Sequence, residues 1–114
     1  MGFWNSVGNV LGLNDKKKLK NLVNKRMIIN SQIKDIQLSM IGLDNSVLKQ
    51  QAEFKINSIS QRNDELDFTK KNFFTKNKFI NELIYHHDSL EKELNGFIAE
   101  LTQLQHKFKE FKLI

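Results

Sequence analysis

Apolar residues recur at alternating steps of three and four along two long stretches of the chain. From Leu19 these steps run to Asn57 and meet an apolar residue at nine of twelve positions. From Leu66 they run to Phe111 and meet one at eleven of fourteen. A repeat of this kind gives a helix a single apolar face that packs against another helix. The pattern predicts an all-α protein that forms a coiled coil.

The interruptions of this pattern predict where the helices turn. Residues 60–65 contain no apolar side chain, so we expect a turn there, between a helix over about 15–60 and a helix over about 64–112. The two helices would form a long antiparallel helical hairpin. Because the apolar positions change phase after Val47, we expect a stutter in the first helix.

Three other arrangements remain open. The segment 42–46, Gly-Leu-Asp-Asn-Ser, combines a glycine that can end a helix with residues that cap a new one. A break at Asp88 and Ser89, followed by Glu91, resembles a capping box and would begin a third helix. The chain could also form one continuous rod.

The first thirteen residues differ from the rest because they combine apolar side chains with glycines and lie outside both repeats. Asn14 has the character of a helix N-cap, and Asp15 suits the first turn of a helix. We therefore divide the chain into a short amphipathic segment, residues 1–13, and a helical domain, residues 14–114.

The net charge of +5 is concentrated just after this segment, where residues 15–26 hold six basic residues and one acidic residue. A tryptophan in an apolar segment beside a lysine cluster is typical of a segment that binds a membrane surface. Docking on a larger protein is the alternative, and the sequence does not choose between them. The predicted docking residues are Phe3, Trp4, Val7, Val10, Leu11, Lys16, Lys17, Lys18 and Lys20.

The second apolar repeat is broader than one partner helix would cover. This width indicates either a homo-oligomer or a helical partner protein. The predicted interface residues are Phe73, Phe74, Ile80, Leu83, Ile84, His87, Leu90, Leu94, Phe97, Leu101, Leu104, Phe108 and Phe111.

The residues do not favour catalysis. The chain has no cysteine and no glycine-rich phosphate loop or nucleophile elbow. His86 and His87 point about 100° apart on a helix, and Glu82 with His86 forms a single pair. We therefore expect no enzymatic activity, no metal and no other cofactor.

The sequence as a whole predicts a cytoplasmic coiled-coil adaptor or assembly subunit, with peripheral membrane association as a further expectation. Its composition, rich in Asn, Lys and Ile, is typical of a bacterial or phage protein. The alternatives are a membrane-active helical toxin component or its neutralising partner, and a protein that binds nucleic acid through Lys16 to Arg26. Nucleic acid is the less favoured partner, because the basic residues cluster at one end.

Overall fold

The computed structural model describes residues 12–67 and 82–113, with side chains as far as Glu110. Three long helices account for most of them: α1 (Leu13–Met40), α2 (Ser46–Glu65) and α3 (His87–Leu113). Residues 82–85 are also helical and lead into α3 through a turn residue, His86. Within these two ranges all regular secondary structure is helical, which confirms the all-α prediction.

Polar contacts between the helices define their directions. Lys25 contacts Asn95 and Gln32 contacts Thr102, in both cases across 70 residues, so α1 and α3 run parallel in a constant register. Arg26 contacts Asn63, and the turn between α1 and α2 lies roughly midway between them in sequence, so α2 runs antiparallel to α1. The three helices of the described residues form an up–down–up bundle, and the molecule is elongated, with principal extents of 55 × 23 × 22 Å.

The core forms along one face of each helix. On α1 the buried positions follow the predicted steps of three and four from Leu19 to Met40. On α2 they follow a different phase, and α3 closes the bundle with leucines and a phenylalanine. The buried apolar residues are Leu19, Leu22, Ile29, Ile33, Ile36, Met40, Leu43, Leu48, Ala52, Ile56, Ile59, Leu94, Leu101, Leu104 and Phe108.

The chain turns at 41–45, so the prediction of a continuous helix over 15–60 is wrong. Gly42 adopts φ +84°, a conformation that glycine reaches without steric cost. The side chain of Asn45 then caps α2 by accepting a hydrogen bond from the Leu48 amide at 3.0 Å. Residues 60–65, the favoured turn, are the helical last turns of α2. The second helix also does not begin near 64, because α2 ends at Glu65.

This turn explains the change of phase in the apolar repeat. Leu48 and Ile56 are buried, whereas Val47 and Phe54, which continue the phase of α1, are exposed. The shift therefore marks a new helix and not a stutter inside one helix.

The helix starts also differ in part from the predictions. α1 begins at Leu13 after Gly12, with no side-chain cap, so Asn14 is not the N-cap, although Asp15 does lie in the first turn. α3 begins at His87, next to the Asp88–Ser89 break that was considered for a third helix.

Candidate functional site

A polar cluster lies inside the bundle where α1 and the end of α2 meet. Arg26 Nε donates to the carbonyl of Asn63 at 2.8 Å, and an Arg26 guanidinium nitrogen lies 3.2 Å from Asp67. The Asn63 side chain donates in return to the carbonyl of Arg26 at 3.3 Å and to Asn30 at 2.9 Å. Arg26 and Asn63 are both buried. Arg26 is therefore a structural residue whose charge is already paired.

A groove of about 380 Å³ lies between the end of α2 and the start of α3. Arg62 forms one wall by pairing with both carboxylate oxygens of Glu93, at 2.7 and 3.0 Å. The hydrogen bond to Glu93 raises the pKa of Arg62 above its usual value and outweighs desolvation, so the guanidinium keeps its charge. The remaining lining residues are Leu66, Glu82, Leu83, His86, Ser89 and Leu90.

The predicted docking lysines occupy the first turns of α1. Lys17, Lys18 and Lys20 are exposed and Lys16 is half-buried. Successive helical residues point about 100° apart, so these lysines form a collar around the helix and not a stripe on one face. The apolar residues predicted to act with them (Phe3, Trp4, Val7, Val10 and Leu11) lie outside the described residues.

The register of the bundle adds acidic residues at the same end. Because α1 and α3 are offset by 70 residues, Lys18 lies level with Asp88, and Glu91 follows one turn later. These opposite charges are far apart in the sequence, so the prediction of a basic docking cluster did not include its acidic neighbours. The end of the bundle carries both signs of charge.

Most of the described residues that were predicted as a partner interface are used within the chain. Leu94, Leu101, Leu104 and Phe108 are buried in the core cluster, and His87 is buried at the start of α3. Leu83, Ile84, Leu90 and Phe97 are partly buried and pack against the core. Phe73, Phe74, Ile80 and the side chain of Phe111 lie outside the described part of the chain. The buried residues of the predicted interface cannot contact a partner protein while the helices are packed together.

The outer face of α2 presents apolar side chains to solvent. We define this face as Val47, Gln50, Gln51, Phe54, Ser58 and Gln61. Val47 is 62% exposed and Phe54 is 80% exposed, and their seven-residue spacing places them on one side of the helix. The apolar repeat that starts at Leu19 predicted both as buried positions, and the phase shift after Val47 was the signal that could have separated them from it.

Comparison of the chain with models of protein families, with curated proteins and with solved structures gave no significant match. Among the described helices, none is both long and apolar enough to cross a membrane.

Proposed function

We propose that this chain is a non-enzymatic helical assembly subunit that associates with a second copy of itself through the outer face of α2. The exposure of Val47 and Phe54 supports the proposal most directly. A phenylalanine this exposed leaves most of its apolar area in water, and burial of such a side chain stabilises a contact by about 1.5–3 kcal/mol.

The chemistry of the outer face favours a second copy as the partner. Its polar members are glutamines and a serine, so no charged group lies between Val47 and Gln61 on this face. Two copies can therefore meet about a two-fold axis without like-charge repulsion, and each phenylalanine can pack beside the valine of the other copy. A strongly acidic or basic partner would find no complementary charge here.

The end of the bundle where α1 begins is the second proposed contact. α1 has 28 residues and spans about 42 Å at 1.5 Å per residue. The lysine collar at the start of α1 therefore lies far from the start of α2. Self-association through α2 would leave the start of α1 free to dock on a membrane surface or a larger partner. The chain would then act as an adaptor.

Binding of nucleic acid is a weaker alternative. Arg26, one of the six basic residues of the cluster, is buried and already bonded to Asn63 and Asp67. Arg26 is therefore not available to bind phosphate. The carboxylates at the start of α3 would repel phosphate near the remaining basic residues. The other alternative, a membrane-active toxin component, would depend on the apolar residues 3–11 for its contact with the membrane.

The molar mass in solution tests self-association. We expect light scattering of the full chain to give at least twice 13.4 kDa, and the double substitution Val47→Ser with Phe54→Ser to reduce it to one chain. Tyr85→Ser is a matched control, because Tyr85 is 84% exposed and lies off α2. Circular dichroism should show equal helix content in all three proteins. A wild-type monomer at all concentrations, or a double variant that still associates, would contradict the proposal.

A further inference from the structure

His87 is the first residue of α3, and its ring is buried at the edge of the core. The residue is only 6% exposed. Its Nδ1 lies 3.3 Å from Oδ1 of Asp88, and its Nε2 lies 3.4 Å from Oε2 of Glu91. Although close to this carboxylate, Nε2 has no hydrogen-bond partner. A buried imidazole nitrogen thus lies beside an acidic oxygen without bonding to it.

The hydrogen bond to Asp88 explains why this nitrogen is unusual. When Nδ1 carries the proton and donates it to Asp88, Nε2 carries a lone pair. That lone pair and the Glu91 oxygen are then two acceptors 3.4 Å apart. If the ring carries both protons, its nitrogens lie within ion-pair distance of Asp88 and Glu91, but Nε2 still makes no hydrogen bond. Buried polar atoms without a partner are rare in proteins and often mark an ion or ligand site.

We propose that His87 Nε2 and the Glu91 carboxylate bind a divalent transition-metal ion of the Zn²⁺ class. In tetrahedral zinc sites the metal lies about 2.0–2.1 Å from histidine nitrogen and about 2.0–2.2 Å from carboxylate oxygen. Two such ligands at a tetrahedral angle are about 3.3–3.5 Å apart. The observed separation of 3.4 Å therefore leaves room for an ion between them.

The surroundings of the pair supply the other requirements of a metal site. His87 and Glu91 are four residues apart on α3, a spacing that places both side chains on one face of a helix. The exposed carboxylate of Asp88 lies 3.3 Å from Nδ1, on the side of the ring where carboxylates orient metal-bound histidines. The Glu91 side chain is about one third exposed, so an ion can enter from solvent and water can complete its coordination.

Titration calorimetry of the full chain with Zn²⁺ tests the site. We expect saturable binding of one ion per chain and a higher melting temperature with Zn²⁺, because the ion binds the folded state. Glu91→Gln should abolish both effects while circular dichroism shows an intact fold. Asp88→Asn should weaken binding by about tenfold or more, as loss of an orienting carboxylate does in other sites.

Two further variants separate this site from the other histidines. His86→Ala and His106→Ala change exposed residues and should leave Zn²⁺ binding unchanged. Absence of saturable binding, or binding that survives Glu91→Gln, would overturn the proposal. Loss of binding in either control would do the same, because it would assign the ion to another histidine.

Discussion

Arg26 and Asn63 show how two polar residues determine the alignment of two helices. Each side chain donates to the backbone carbonyl of the other residue, at 2.8 and 3.3 Å. Sliding α2 along α1 by one turn would break both bonds and leave buried groups unpaired, which costs about 1–3 kcal/mol for each group. The pair therefore specifies one register among those that the apolar faces alone would accept.

Substitution of Arg26 tests this account. Arg26→Ala removes one ion-pair partner of Asp67 and the Arg26 hydrogen bond to the carbonyl of Asn63. We expect the free energy of unfolding to fall by about 1–3 kcal/mol, the cost of leaving a buried acceptor without its hydrogen bond, as measured by urea denaturation. Lys34→Ala, at an exposed position of the same helix, should change it by less than about 0.5 kcal/mol. Equal effects would show that the cluster is not a structural determinant.

At the scale of elements, the position of the first turn depends on a few residues with special backbone roles. Gly42 supplies the positive φ and Asn45 caps α2. The polar run 60–65 stays helical because its side chains find partners on other helices: Asn63 bonds to α1, and Arg62 bonds to Glu93 on α3. A run without apolar residues is therefore no sign of a turn when its polar groups are bonded elsewhere.

The cap of α2 gives a prediction at this scale. Asn45→Ala removes the acceptor of the Leu48 amide, and we expect a loss of about 1 kcal/mol in the free energy of unfolding. Asn45→Ser retains a capping oxygen and should remain close to the wild type. Chemical denaturation of both variants compares them directly. If alanine and serine were equally tolerated, the cap would not contribute to the position of the turn.

At the scale of the whole molecule, the bundle separates its two proposed contacts. The lysine collar and the acidic start of α3 share one end, and the start of α2 lies at the other. The buried apolar residues of the three helices belong to one core cluster, with partly buried apolar residues packed against it. The first eleven residues precede the start of α1 and lie outside the described residues.

Deletion of residues 1–11 tests whether the bundle folds without them. We expect the helix content to persist and the melting temperature to stay within about 4 °C, the shift that about 1 kcal/mol produces in a domain of this size. The full chain should float with anionic vesicles in low salt and detach as salt is raised, whereas the truncated chain should not float. Vesicles without anionic lipid are the control.

Two results would contradict these expectations. Unfolding of the truncated chain would show that residues 1–11 are part of the core. If the full chain does not float with vesicles but binds a protein, the segment docks in a protein groove.

Much of the local structure followed from the sequence. The steps of three and four predicted helices and identified the buried face of α1 from Leu19 to Met40, together with Leu94, Leu101, Leu104 and Phe108 on α3. These predictions succeed because an α-helix repeats every 3.6 residues, so the spacing of its apolar residues indicates which side is buried. The docking role of the N-terminal segment and the self-association of the chain stay predictions.

Only the tertiary structure decided which of the possible turns the chain uses and which apolar positions remain exposed. Val47 and Phe54 fit the repeat as well as Leu43 does, yet they face solvent. The contacts that decide this join residues far apart in sequence: Arg26 with Asn63, Arg62 with Glu93, and Gln32 with Thr102. Local spacing determines the faces of a helix, but only contacts between helices determine which face is covered.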